Sequence, residues 1–414
     1  MSQPRALVAS VGCKLSQAEA DLWKVHLAGE GYDIVNGAEE VDLCLVTTCT
    51  VTGQADRSSV ALIRRLHRRY PQAEIKVTGC GTEAIADRLA VLEGVGEIVR
   101  FHDKEGIIAD LGMSKKNRTS AIARSRAFLR VGDGCDRRCT YCIVSRIRGS
   151  PRSKSAKTVI TELKALADAG YGEVVLVALN LGLWGREHGD DLANLLERID
   201  ECGIRTRIRL TSLEPDTITP ELIDVIASSE KICPHLHVPL QSGDDGVLKR
   251  MERPYNTAGF AELIDSIQRR IPDVCIGSDI ITATPGEDEA SFAKTLEFVR
   301  ELPVAYLHAF TYSPRPGTPM ARAKRTVKNP RERTAVMRSL GNEKSLDYRN
   351  RFIGEVREGV VLSPTRVLTD NYTDVTVSHT TARQRSLVKV RITGTTPEET
   401  FGEVPDSKGC ENEA

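Results

Sequence analysis

The chain has no net charge: 57 Lys and Arg are matched by 57 Asp and Glu across 414 residues. A wholesale polycation is thereby excluded, and any surface for nucleic acid has to be a local patch. No uninterrupted apolar run approaches the ~18 residues of a membrane span. Residues 1–5 lead straight into the short apolar segment 6–11, without the cleavage pattern of a signal peptide. These absences predict a cytoplasmic protein with no membrane partner. With 40% hydrophobic and 28% charged residues, the composition is that of an ordinary folded chain. Its length suits roughly two to four domains.

Cysteine, by contrast, is abundant. There are 11, an odd number that cannot pair completely. A compartment that reduces disulfides turns clustered cysteines toward metal ligation or redox chemistry.

Hydrophobic patterning predicts an α/β protein. Segments 6–10, 43–47 and 75–78 read as buried strands separated by amphipathic stretches at 17–29 and 54–70. That repetition favours an open parallel sheet covered by helices. A polar, basic linker is expected at 113–125. Six further strands are predicted at 128–131, 173–178, 206–211, 235–240, 274–282 and 305–311, with helical patterns between them. Six units suit an incomplete (β/α)6 barrel, because a full eight-unit barrel needs about 250 residues. A charged helix should run to about 350. The short β-branched segments 355–362, 366–369, 373–379 and 387–393 then indicate a small all-β barrel, followed by a frayed tail from 405.

The sharpest local signal is Gly134-Cys135-Asp-Arg-Arg-Cys139-Thr-Tyr-Cys142, just after the first barrel strand. Three thiolates cannot complete a tetrahedral zinc without a fourth ligand. They can hold three irons of a [4Fe–4S] cube and leave the fourth open to a chelating ligand. A zinc knuckle with a distant fourth ligand, or three structural cysteines, is the plainer alternative. It fits less well beside a strand that opens a barrel series. A second triplet is widely spaced: Cys13, Cys49 and Cys80 each follow a predicted strand of the first domain. In an open parallel sheet such ends face one crevice, so the three can converge on a second cluster. Packing as small hydrophobes is the alternative there. Cys44, Cys202 and Cys275 read as packing residues, and Cys233 and Cys410 have no partner at ligand spacing.

With these motifs the chain resembles the radical S-adenosylmethionine (SAM) methylthiotransferase family. Val11-Gly-Cys-Lys14, Thr48-Cys-Thr-Val-Thr52, Thr78-Gly-Cys80, Ala127-Phe-Leu-Arg130, Pro234-His-Leu-His237, Pro239-Leu-Gln-Ser-Gly243 and Tyr312-Ser-Pro-Arg-Pro-Gly-Thr318 carry the likeness. Residues 49–56 and 312–318 are most similar to members acting on threonylcarbamoyl-adenosine in tRNA. Ser16, Thr48, Ser145, Ala283 and Thr284 depart from the family pattern. The resemblance implies an N-terminal methylthiotransferase domain at 1–112, a radical SAM core at 121–350 and a TRAM domain at 351–410.

The resemblance further implies two [4Fe–4S] clusters, one per triplet, and SAM as both radical source and methyl donor. The product would be a methylthio group at C2 of the adenine. Cofactor-binding candidates beyond the cysteines are Asn180, Glu214, Gln241 and Ser242, all at strand ends. The implied partners are the tRNA anticodon loop and a one-electron donor such as flavodoxin or ferredoxin, with the chain a monomer. For phosphate, residues 113–154 hold 12 Lys and Arg against 2 Asp, residues 321–358 hold 11 against 5 acids, and Arg64, Arg65, Arg68 and Arg69 form a third cluster. The group at 146–154 is the best placed. In the terminal barrel Tyr372 is the sole aromatic of 371–393, so base stacking there would be weak. The competing readings are the same chemistry on isopentenyl-adenosine or on a ribosomal-protein aspartate, and a non-catalytic zinc and RNA-binding protein.

Overall fold

The computed structural model describes residues 3–37, 40–108, 124–324 and 327–405. Most of the expected linker at 113–125 and nearly all of the expected tail lie outside them. No helix among the described residues is long and apolar enough to cross a membrane.

Five parallel strands build the first sheet: β1 (Arg5–Ser10), β2 (Asp33–Ile34), β3 (Leu43–Thr48), β4 (Glu74–Gly79) and β5 (Val95–Ile98), in the order β2-β1-β3-β4-β5. β3 reads Leu-Cys-Leu-Val-Thr-Thr and is buried throughout, as a central strand covered on both faces must be. The edge strands β2 and β5 are two and four residues long, too short to leave a periodic signal. The chain crosses from β2 back over β1 to β3. The carboxyl ends of β1 and β3 therefore flank the point where strand order reverses, where open sheets bind ligands.

The second unit follows the predicted strand series closely. β6 (Ala127–Arg130), β9 (Glu173–Val177), β10 (Arg207–Leu210), β11 (His235–His237), β12 (Cys275–Thr282) and β13 (Tyr306–Thr311) run parallel in that order. A bridge from Ser212 to His237 joins the two halves. Between β6 and β10 lies a ribbon not anticipated from sequence, β7 (Gly132–Asp133) against β8 (Arg152–Ser153), two residues per strand. β6 and β13 do not pair. The Lys14–Gly29 helix of the first unit packs against β6 and β9, where Leu15 and Ala18 meet Phe128, Val175 and Val177.

The helix Pro330–Asn350 leads to a closed five-stranded barrel: β14 (Val356–Ser363), β15 (Arg366–Thr369), β16 (Asp374–Val377), β17 (Leu387–Thr395) and β18 (Thr400–Glu403). The four strands expected here are present. The fifth, Thr-Phe-Gly-Glu, completes the closure from a stretch whose glycine and acids masked it. The turn between β15 and β16 enters the amino-terminal end of the larger barrel. Arg207 Nη2 donates to Leu368 O at 2.7 Å, and Arg209 donates to Thr369 O and Asp370 O, each at 3.0 Å. Tyr372 stacks on His235 with ring centres 3.9 Å apart. The aromatic considered for base stacking is thus spent on the barrel floor.

Several basic residues expected at the surface are inside. Arg126, Arg207 and Arg209 neutralise buried Glu173. Arg130 pairs with Asp133, Arg124 with Asp21 and Lys154 with Glu162. Arg148, in the stretch that looked best placed for phosphate, is fully buried. The dense positive charge of 124–154 therefore largely balances interior carboxylates, because a buried ion needs a partner. Arg64, Arg65, Arg68 and Arg69 remain exposed on the Gly53–Arg69 helix.

Candidate active site

Cys13, Cys49 and Cys80 directly follow or closely succeed β1, β3 and β4, three neighbouring strands. Cys13 caps the Lys14–Gly29 helix without a side-chain hydrogen bond to the backbone; its Sγ lies 3.8 Å from Ser16 Oγ. Gly12 has φ +130°, and a Cβ there would stand 2.8 Å from Cys49 Cβ. Only glycine lets the two loops approach so closely. Gly79 (φ +95°) makes similar room, since its Cβ would lie 2.5 Å from the Thr48 carbonyl oxygen. Burial pushes the Cys49 thiol up to about 12, and the nearby Cys13 and Cys80 add to it.

The second triplet sits in the loop closed by the β7–β8 ribbon. Gly134 (φ +78°) allows the turn, and Cys135 N donates to Gly149 O at 2.8 Å. Thr140 anchors the middle of the loop, its Oγ1 donating to Arg250 O at 2.8 Å. Burial pushes Cys135 up to about 12, with Glu214, Cys139 and Cys142 nearby. Any metal bound at either triplet must displace such protons.

The two triplets are neighbours. Cys80 packs in one apolar cluster with Ile143, the residue after Cys142, and with Phe101 and Ile147. Cys13 and Cys142 line the same cavity of about 600 Å³, which extends into the barrel past His237, Gln241 and Asp279. The motif around Tyr312–Thr318 fastens the two units. Arg315 Nη1 lies 2.7 Å from Asp56, and Gly53 N donates to Ser313 Oγ at 2.9 Å. Among the described residues, the three sulfurs of neither triplet all lie within 4.8 Å of one another.

The family comparisons agree with this geometry. Residues 129–299 match the Radical SAM superfamily, and residues 5–99 match a family described as Uncharacterized protein family UPF0004. Threonylcarbamoyladenosine tRNA methylthiotransferase MtaB of Bacillus subtilis (strain 168) is 32% identical over 92% of this chain and 92% of its own. The chain belongs to the radical SAM methylthiotransferase family. A tRNA-2-methylthio-N(6)-dimethylallyladenosine synthase of Desulfitobacterium hafniense is 28% identical over 89% of each chain. Among solved structures, the radical S-adenosylmethionine methyltransferase TsrM from Kitasatospora setae aligns with a TM-score of 0.56 and 15% identity over 77% of each chain, a likeness of fold alone. A radical SAM enzyme works with SAM and an iron–sulfur cluster.

Within the methylthiotransferase, the four candidates for SAM contact occupy different settings. Asn180, just past β9, is buried with both amide atoms unpartnered. Gln241 lines the cavity with φ +72° and an unpartnered, buried Oε1. Glu214 pairs with Arg253 beside Cys139, and burial lifts its carboxyl above the usual value against the pull of that guanidinium. Ser242, for which a turn or capping role is the equal alternative, is engaged in a turn. Its hydroxyl meets Thr295 Oγ1 at 3.1 Å and accepts from Asp244 N at 3.3 Å, so it caps a turn and does not line the cavity.

Sequence reasoning passed over a polar network on the barrel wall. His235 Nε2 lies 3.0 Å and His237 Nδ1 3.2 Å from Tyr306 Oη; His237 Nε2 lies 3.1 Å and His308 Nδ1 3.4 Å from Asp279. The chain closes if His235 Nε2–H donates to Tyr306, Tyr306 donates to His237 Nδ1, and His237 Nε2–H donates to Asp279. Burial opposes charge on Asp279, but hydrogen bonds from His237 and His308 outweigh it and hold the carboxyl well below its usual range. The signal was the His-Leu-His spacing, which puts both rings on one face of a strand.

Proposed function

We propose that this enzyme adds a methylthio group to C2 of N6-threonylcarbamoyl-adenosine beside the tRNA anticodon. It would use a [4Fe–4S] cluster on Cys135, Cys139 and Cys142 and a second on Cys13, Cys49 and Cys80. The observation that carries this reading is the single cavity lined by both Cys13 and Cys142. Radical generation and sulfur delivery can then act on one base. The name of the Bacillus subtilis relative and its coverage of the chain support this substrate.

When bound, the clusters and SAM would supply a one-electron route to an unactivated adenine C–H and a methylated sulfur to replace the hydrogen. The Asn180 amide and Gln241 Oε1 offer SAM hydrogen-bonding groups that have no partner among the described residues. Glu214 and Arg253 hold the loop of Cys139 in place. The Asp370–Thr373 turn and Tyr372 close the barrel floor, so water and reactants enter from the cysteine end. The exposed arginines 64, 65, 68 and 69, on the last turns of the Gly53–Arg69 helix away from the Cys49 loop, offer phosphate contacts.

The test is to reconstitute the protein without oxygen and supply SAM, a reductant and tRNA carrying threonylcarbamoyl-adenosine. The RNA is then digested for mass spectrometry. The expected product is the 2-methylthio nucleoside. A methylthio group appearing only on dimethylallyl-adenosine, or on no nucleoside, would overturn the assignment.

A further inference from the structure

Lys14 is the only lysine or arginine among the described residues that line the shared cavity. It follows Cys13 and opens the first turn of the Lys14–Gly29 helix. Its Nζ reaches to 5.8 Å from the centre of the Tyr372 ring on the barrel floor. Apart from that ring it has neither a hydrogen-bond nor an ion-pair partner among the described residues. The cavity's one carboxylate, Asp279, is already engaged by His237 and His308. Lys14 is half-buried, whereas the buried cations around the site each have an acid: Arg148 has Glu19 and Asp133, Arg253 has Glu214, and Arg315 has Asp56.

An ammonium group facing a cavity that closes over a ligand is costly unless the ligand brings an anion. Adenine offers none at neutral pH, and a dimethylallyl substituent is apolar. A threonylcarbamoyl substituent ends in a carboxylate. We propose that Lys14 pairs with the carboxylate of the N6 substituent and so selects threonylcarbamoyl-adenosine over adenosines with uncharged substituents. This rests on the function proposed above and names the residue that would enforce its specificity. C2 and C6 belong to the same six-membered ring. An anchor for the C6 substituent one residue from Cys13 therefore keeps C2 close to that triplet.

The test compares wild type, Lys14→Gln and Lys14→Arg on tRNA bearing threonylcarbamoyl-adenosine, and on the same RNA with that carboxylate converted to an amide. Loss of one charge-assisted contact should raise KM for the acid roughly 10- to 100-fold in Lys14→Gln, with most of the affinity kept in Lys14→Arg. Amidation should weaken wild type by a similar factor and leave Lys14→Gln nearly indifferent, as coupled partners require. Iron per chain, measured alongside, should not change. An unchanged KM in Lys14→Gln would overturn the inference. Iron loss in that variant would also overturn it, because Lys14 would then serve the Cys13 site. Failure of wild type to modify the threonylcarbamoyl RNA would bring down the proposed function itself. Wild-type activity with an unchanged KM in Lys14→Gln brings down the inference alone.

Discussion

Arg148 Nε lies 3.3 Å from Cys80 Sγ, in position to donate a hydrogen bond from the loop of one cysteine triplet to a sulfur of the other. The same guanidinium is held by Glu19 at 2.8 Å and Asp133 at 2.8 Å, with Lys104 2.7 Å from Glu19. A matching contact serves the other site, where Arg253 Nη1 lies 3.2 Å from Cys139 Sγ. Hydrogen bonds to ligand sulfur stabilise the more negative, reduced form of a cluster. Arg148→Lys should keep the charge but lose the planar fork. With the two clusters proposed above, the reduction potential of the N-terminal one should fall while that of the barrel one stays, as potentiometric titration followed by electron paramagnetic resonance would report. Equal potentials in variant and wild type would show that the contact does not tune the cluster.

The Gly12 loop offers a separate handle on the same triplet. An alanine there would meet Cys49 Cβ at 2.8 Å and adopt φ +130°, a region L-residues avoid. If both proposed cubanes form, with about eight irons per chain in wild type, Gly12→Ala should hold about four. An iron assay after anaerobic reconstitution measures it, and full iron loading would contradict the reading of the Cys13–Cys49 approach.

Ala283 has φ +59° in the turn after β12, at a position where its family resemblance leads one to expect glycine. Its N–H donates to Glu287 Oε1 at 2.8 Å, which pins the turn in this conformation. A Cβ in left-handed backbone costs about 1–2 kcal/mol. Part of that is returned through the greater freedom of an unfolded glycine, so Ala283→Gly should stabilise the fold by about 1 kcal/mol. A higher midpoint of thermal or denaturant unfolding is expected; a lower one would refute this account.

Glu173 makes the barrel floor sensitive to acid. Burial opposes its charge, but Arg209, Arg207 and Arg126 outweigh burial and hold the carboxyl well below the usual range. A depressed folded pKa means this stabilisation is complete above the unfolded value of about 4.3. It is lost as pH falls below that value toward the folded one. Glu173→Gln leaves the guanidinium groups without their counter-charge and should cost about 3–5 kcal/mol at neutral pH. Unfolding curves at descending pH should show the gap between variant and wild type narrowing only below about pH 4.

How far the sequence could be read depended on the range of the interaction. Strand positions at 173–177 and 275–282, and the placement of Cys13, Cys49 and Cys80 at strand ends, follow from apolar runs and the turns that bound them. β2, β5 and the β7–β8 ribbon escaped because two to four residues carry no period. Ser242 looked like a ligand by its position after β11, yet the side chain of Thr295, far along the chain, claims its hydroxyl.

The chain's own pattern determined the order of α/β units and the two sets of three thiols, because hydrophobic periodicity and loop spacing are local. Tertiary structure decided which charges are available. Arg148 looked like a phosphate ligand until Glu19, 129 positions away, paired with it in the interior. Tyr372, the lone aromatic of its stretch, stacks on His235. Lys14 was one lysine among many until the fold turned it into a cavity whose carboxylate, Asp279, is engaged by His237 and His308. Burial and long-range pairing fix the role of a charged side chain, and neither leaves a trace in its neighbours along the sequence.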